Sequence, residues 1–320
     1  MSKSLFILGT GFIGGSVLSA LLEKNEYKIA ALSRDDKKSE KLKELGVRPV
    51  KGTLHDDEVI SKEAAEADVI LHIATADDLP SVKSILKGLG QRDPSKPPAI
   101  YIHTSGTGVL TVPTHPDSVV FNDKDPSKFD TLIPDHAPHR EEDLTIKAAV
   151  ESGKLNAKIS IILPPTIYGV GSGPFNRISI QVPGWAKRVV KDKKFTTWGG
   201  HRHWNNIHIK NLVTAYLTLL SHLEQTSSAP PLYIIAETGE HVWKDIGVVL
   251  KKELEARDLL PAGGPNVEVE EGNTDTETGT QSRSKSEWLH EWGWKVQEVP
   301  SITESIGAEL DVMKAEGAFN

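Results

Sequence analysis

The chain has 320 residues, 38% hydrophobic and 25% charged, with a net charge of −7. That length supports a sizeable core in one or two domains, and the mild acidity excludes a global argument for nucleic acid or a membrane surface as partner. The absence of cysteine excludes disulfides, thiol nucleophiles and cysteine-ligated metals together. It agrees with a reducing, cytoplasmic setting, as does an N-terminus with no signal-peptide pattern and a chain with no apolar run long enough to span a membrane.

The first element is the most informative. Leu5 to Leu8 form a continuous apolar run of the kind a buried parallel strand shows. Gly9-Thr10-Gly11-Phe12-Ile13-Gly14 follows, and then an amphipathic run through Val17, Leu18, Leu21 and Leu22. The spacing is that of the dinucleotide fingerprint, in the strand–turn–helix setting the motif requires. Gly9 permits the turn, Gly11 leaves room for a pyrophosphate, and Gly14 lets the helix pack on its strand, while free N–H groups at the helix start attract phosphate. About twenty residues on, an acidic residue is expected where the cofactor is NAD. Ser33-Arg34 stands there instead. A hydroxyl and a bidentate guanidinium suit a 2′-phosphate, so the expected cofactor is NADP, with NAD less favoured.

Strand and helix then alternate. Lys28–Leu32 is a strand, 35–45 a helix capped by Gly46, Arg48–Val50 a strand, 56–67 a helix, Val69–Ile73 a strand, 79–89 a helix and Ile100–His103 a strand. The alternation predicts an α/β Rossmann fold, a doubly wound parallel sheet with a smaller C-terminal substrate-binding lobe. Residues 104–138, rich in glycine and proline, read as a long functional loop at the ligand-binding ends of the strands. A helix over 141–152 and a strand at Ala157–Leu163, stopped by Pro164-Pro165, complete the first domain.

The division is 1–163 for the dinucleotide-binding domain, with returning segments near 201–240, and 164–200 plus 241–320 for the lobe. Residues 177–190 read as a helix interrupted at Pro183-Gly184. A strand at 204–209, helices at 212–223, 242–256 and 302–314, a strand at 232–236 and a polar loop at 273–281 follow. Trp288, Trp292 and Trp294 either pack the lobe or line a pocket, and packing is the commoner use.

Taken in order, these segments resemble the extended short-chain dehydrogenase/reductases of the NAD-dependent epimerase/dehydratase family. The resemblance rests on the glycine turn, on Gly52-Thr53-Leu54-His55-Asp56, and on His72-Ile73-Ala74-Thr75-Ala76. It continues through Thr104-Ser105-Gly106-Thr107, Leu163-Pro164-Pro165-Thr166-Ile167-Tyr168-Gly169, Trp204 to Leu212, and Ser284 to Trp294. It implies a small-molecule substrate, a possible homodimer, and cofactor contacts at Thr53, Leu54, Ile73, Ala74, Thr75, Thr104, Pro164, Thr166 and Ile167. It also implies a catalytic hydroxyl from Ser105 or Thr107.

One departure matters. The family's Tyr-x-x-x-Lys pair is absent, because no tyrosine lies between Tyr101 and Tyr168. Aligned on the strand at 157–163, His139 takes the Tyr position and Asp143 the Lys position, on one helix face. Three readings stay open. His139 is the proton donor with Asp143 orienting it or bonding the ribose; another group serves, among them Tyr168, His103, His136 and His208; or the chain binds cofactor without turnover. His136 and His139, and the set His201, His203 and His208, carry no supporting carboxylate pattern, so no metal is expected.

Overall fold

The computed structural model describes residues 2–111, 119–198, 202–265, 268–270 and 280–319. The elements in chain order are β1 (Lys3–Leu8), α1 (Phe12–Lys24), β2 (Tyr27–Ser33), α2 (Asp36–Glu44), β3 (Arg48–Lys51), α3 (Asp57–Glu66), β4 (Val69–His72), α4 (Leu79–Gly90) and β5 (Ala99–Thr104). Then come β6 (Phe121–Asn122), α5 (Ser127–Leu132), α6 (Arg140–Glu151), β7 (Ala157–Leu163), β8 (Thr166–Tyr168), α7 (Gln181–Asp192), β9 (Thr196–Trp198) and β10 (His203–His208). The chain closes with α8 (Ile209–Gln225), β11 (Tyr233–Ile235), β12 (Gly239–Val242), α9 (Trp243–Glu255), β13 (Glu268–Glu270), β14 (Ser284–Lys285), α10 (Trp288–Glu291) and α11 (Ile302–Ala315).

Seven parallel strands form the main sheet in the order β3-β2-β1-β4-β5-β7-β11. The order reverses between β1 and β4, and a crevice for ligand opens beyond the carboxyl ends of strands at such a point. One face of the sheet buries Leu5, Ile7, Leu71 and Ile102 against α1 and α8. The other buries Phe6, Leu8, Ile70 and Tyr101 against α3, α4 and α6. Strands covered on both sides need apolar residues at every position, which is why β1 and β4 read as unbroken runs. The smaller lobe is a three-stranded sheet, β12-β10-β8, whose Tyr168 and Trp204 pack with Trp185 of α7, Trp243 of α9 and Leu310 of α11.

The structure corrects two expectations and agrees with a third. Residues 104–138 are not one loop: a 3-10 turn (Thr107–Leu110), β6 and α5 lie within them, and β6 pairs with β14. Helix α7 is not interrupted by Pro183, which sits in its first turn, where a missing N–H costs no hydrogen bond. The tryptophan patch is packing: Trp288 stacks on Trp292 and Trp292 on His222, while the Trp294 indole donates to Thr214 Oγ1 at 2.9 Å. Trp292, Trp294, His222 and Thr214 also border a surface groove of about 520 Å³ at the Lys24 end of α1, away from the glycine turn. The polar stretch expected as a loop at 273–281 lies outside the described residues up to 279, as do His201, Pro113 and Pro116.

Candidate active site

At the glycine turn, each expected glycine has a different geometric reason. Gly9 has φ +95°, and a Cβ there would lie 2.3 Å from the Ala74 Cα. Only glycine tolerates both that conformation and that approach of β1 to the end of β4. At Gly14 a Cβ would stand 1.9 Å from the Gly9 carbonyl oxygen, whereas at Gly11 it would meet nothing within 4 Å. The first and third glycines therefore build the turn, and the second borders open space.

The start of α1 differs from its neighbours. Helices α2, α3, α4 and α6 begin with a carboxylate in the cap or first turn, namely Asp35, Asp57, Asp78 and Glu141, whereas α1 has no acidic residue there and no side-chain cap. Its first N–H groups are available to an anion. Thr10 is buried with an unpartnered hydroxyl, and Phe12 and Ile13 form the first turn. The residues present fit a dinucleotide pyrophosphate. The sequence reading missed a strap over this helix. Gly171 and Gly173 cross it closely, with Gly173 so near Gly15 that a Cβ would fall 2.7 Å from its carbonyl carbon, and Ser172 is tied to Ser16 and Ser19. The alternating glycines of Gly169-Val170-Gly171-Ser172-Gly173 were the available signal.

At the end of β2 the expected pair divides. The Ser33 hydroxyl donates to the Asp35 carbonyl at 3.1 Å and accepts from Ser39, so its proton is used inside the turn and Ser33 is not a free phosphate donor. Arg34 is exposed. The nearby carboxylates are occupied: Asp35 caps α2 through the Lys38 N–H, and Asp36 pairs with Lys51. Lys38, also missed, lies 4.7 Å over the Phe175 ring; burial first, then the Arg34 charge, lowers its pKa. Arg34 and Lys38 are thus close enough to repel each other, with Asp35 the acid that partly offsets this.

The other expected cofactor contacts have varied surroundings. Ile73 donates to the Leu8 carbonyl at 2.8 Å, which closes the crevice floor, and Ala74 and Thr75 follow at its rim. Thr53 binds Asp56 through its N–H and hydroxyl, and Leu54 packs at the edge of the core that buries Phe6 and Leu8. Thr104 is turned to the far face of the sheet, where its hydroxyl meets Tyr216 at 2.6 Å. The Pro164 carbonyl accepts from the Thr107 N–H at 3.0 Å. Thr166 is buried with a free hydroxyl, and Ile167 packs against the first core cluster.

At the C-terminal end of β5 two side-chain pairs meet. Ser105 Oγ lies 3.0 Å from Asp143 Oδ2, and both residues are buried. Burial raises Asp143 to about 7, although the Ser105 hydrogen bond and Arg140 pull the other way. Among the described residues Asp143 Oδ1 has no hydrogen-bond partner. In the second pair, His139 Nδ1 lies 2.5 Å from Asp77 Oδ1. The far nitrogen of the ring, Nε2, points at the Gly106–Gly108 turn: a Cβ at Gly108 would come within 2.9 Å of it.

Four details depart from expectation. His139 precedes α6 rather than lying in it, with φ +65°, and the helix begins at Arg140. Asp143 holds Ser105 and does not orient His139; Asp77, 62 residues upstream, does that. Tyr168 is not brought to this cluster, because its hydroxyl donates to the Pro300 carbonyl at 3.2 Å within the lobe. Thr107 is buried with a free hydroxyl but is held by its backbone between Pro164 and Ser282. His136 is exposed, and His208 caps α8 through the Lys210 N–H. Among the described residues no group of three His, Asp or Glu side chains is placed to hold a metal ion, and no helix is long and apolar enough to cross a membrane.

Comparison with known proteins places this geometry. Residues 1–86 match the NmrA-like family. The oxidase ucsJ of an Acremonium species is 28% identical over 288 residues, covering 82% of each chain. The UDP-glucose 4-epimerase of Thermotoga maritima superposes with a TM-score of 0.69 at 13% identity, covering 98% of this chain and 99% of that one. The dTDP-glucose 4,6-dehydratase of Streptomyces venezuelae, solved with NAD bound, superposes with a TM-score of 0.71 at 14% identity, covering 99% and 98%. The chain thus shares the fold of these two sugar-nucleotide enzymes, and its first 86 residues match the NmrA-like family.

Proposed function

We propose that the chain is an NADP(H)-dependent oxidoreductase acting on a carbonyl or alcohol carbon of a small molecule. The observation that carries the reading is the convergence of two carboxylate-held proton carriers, Asp143–Ser105 and Asp77–His139, beyond β5 beside the crevice that the glycine turn opens. The pyrophosphate would lie at the first turn of α1, and the nicotinamide toward Ser105. A bound nicotinamide dinucleotide supplies or takes up a hydride at the substrate carbon.

The chain's own residues handle the accompanying proton. The Asp77 carboxylate accepts from His139 Nδ1–H and leaves Nε2 to face the substrate oxygen, as an orienting carboxylate does for a catalytic imidazole. The Ser105 hydroxyl donates to Asp143 Oδ2, so it polarises the substrate oxygen only by turning its one proton away from that carboxyl. A carboxyl whose pKa sits near 7 exchanges a proton readily at neutral pH. This arrangement replaces the acid/base role of the absent Tyr-Lys pair with groups of a different kind.

Arg34 and Lys38 favour the 2′-phosphate of NADP(H), since an anion between them relieves their mutual repulsion. The structural neighbours solved with NAD favour NAD instead. Competitive titration with NADPH and NADH decides between them. A second reading, a dinucleotide-binding regulator without turnover, is favoured by the carboxylate at the position where the family carries lysine. The deciding experiment is NADPH consumption with a panel of ketones and aldehydes by the wild type, His139→Gln and Asp143→Asn. Consumption lost in both variants supports the enzyme; stoichiometric binding with no consumption supports the regulator.

A further inference from the structure

Beneath the Asp143–Ser105 couple lies a buried chain of hydrogen bonds that the proposed chemistry does not use. His72 and His103 are register partners at the ends of β4 and β5, and neither is exposed. Their Nδ1 atoms are 3.0 Å apart. Two nitrogens in that contact hold one proton between them, so one ring donates and the other accepts.

Ser81 decides which. Its single hydroxyl proton goes to the Asp78 carbonyl at 2.9 Å, so its oxygen accepts from His72 Nε2–H at 3.2 Å. His72 then has an unprotonated Nδ1, which accepts from His103 Nδ1–H. That leaves His103 Nε2 as a lone pair, buried, with no described residue donating to it. Both rings are neutral: burial lowers His72 to about 4, and burial, His72 and His139 push His103 well below its usual value.

The free acceptor lies in the same layer as Asp143. Tyr101, His103 and Ser105 alternate along the β5 segment on the side that α4 and α6 cover. The Tyr101 hydroxyl is 3.5 Å from His103 Nδ1, and burial first, then the Asp143 charge, raises its pKa. Among the described residues Asp143 Oδ1 is also buried without a partner, as is Arg140 Nε on the same helix; the charges that face Asp143 are Arg140, which favours its ionised form, and Glu142 and Asp77, which oppose it.

We propose that His72 and His103 are positioning residues for Asp143: their locked tautomers present His103 Nε2 as the acceptor, through one bridging water, for the proton of the Asp143 carboxylic acid. Only the acid form of Asp143 has a proton to give on Oδ1, so the acceptor favours that form and sets where the couple titrates. No bond to carbon changes, and the proton stays on Asp143 unless Ser105 recovers it. The inference rests on the reading of Asp143–Ser105 as a proton-handling couple.

The test is NMR on the full chain, reading histidine ¹⁵N shifts and the Asp143 carboxyl ¹³C shift from pH 5 to 8. The expected result is Nε2–H on His72, Nδ1–H on His103, and an Asp143 titration near neutrality. Ser81→Ala removes the acceptor that locks His72, so the two tautomers mix and the Asp143 titration falls by about half a unit or more. The control, Ser84→Ala one turn along α4, moves neither. A proton on His103 Nε2 in the wild type overturns the proposal. So does an Asp143 titration that Ser81→Ala leaves in place. Failure of the underlying reading shows separately, as unchanged NADPH consumption in Asp143→Asn.

Discussion

Asp143 gives the most quantitative prediction. The group is fully buried, and its pKa rises from an ordinary 3.8 to about 7. The folded state therefore binds the proton more tightly than the unfolded chain. The stabilisation is complete below pH 3.8 and is lost as pH rises through about 7. Three units correspond to roughly 4 kcal/mol at ~1.4 kcal/mol per unit, an upper figure because local relaxation softens it. Asp143→Asn keeps an acceptor for the Ser105 hydroxyl and removes the titration. Denaturant midpoints measured from pH 5 to 8 should therefore show the variant gaining on the wild type by up to ~1.4 kcal/mol per pH unit until about pH 7, then levelling. Curves that stay parallel across that range would refute the claim that Asp143 is a buried acid in the folded protein.

Other outcomes follow from the same geometry. Gly11→Ala should fold with unchanged thermal stability yet bind dinucleotide at least ~10-fold more weakly, because its Cβ enters space left for the pyrophosphate. Gly14→Ala should fail to fold, since its Cβ would stand 1.9 Å from the Gly9 carbonyl; expression and circular dichroism report this. Arg34→Ala should weaken NADPH by about 10- to 100-fold, the value of a charged hydrogen bond, and leave NADH unchanged; equal losses for both would remove Arg34 from the 2′-phosphate site. His139→Gln should lower turnover of any substrate found by 10²- to 10⁴-fold, as loss of a general acid/base does, without changing cofactor affinity.

Much of the cofactor half was legible because it rests on local geometry. The glycines, the apolar strands and the missing acid after β2 are all written within forty residues, and parallel strands buried on both faces leave an unmistakable pattern. Ser105, named from the resemblance, and Asp143, named from its spacing to β7, meet at 3.0 Å. What bonds what was not legible. The partner of His139 is Asp77, in a loop after β4 with no periodicity to mark it, and a contact across 62 residues leaves no trace in spacing. Ser33 looked like a phosphate donor because its type fits, but the turn into α2 consumes its proton. Proline and glycine in 104–138 concealed short elements, among them β6, which forms by tertiary pairing with β14. His103 reads only as an alternative proton carrier and His72 only as part of a cofactor-flanking segment; their pairing becomes visible when the register places them side by side.

The central claim is that a nicotinamide dinucleotide lies across the crevice with its reactive ring beside Ser105 and His139. A crystal structure of the chain with NADP⁺ tests it most directly. The account predicts the pyrophosphate on the N–H groups of Phe12 and Ile13, and the nicotinamide within ~4 Å of Ser105 Oγ and His139 Nε2, a hydrogen-bond or near-attack separation from a bound substrate oxygen. A cofactor bound with its nicotinamide turned away from these two side chains, or no cofactor bound at millimolar concentration, would contradict it.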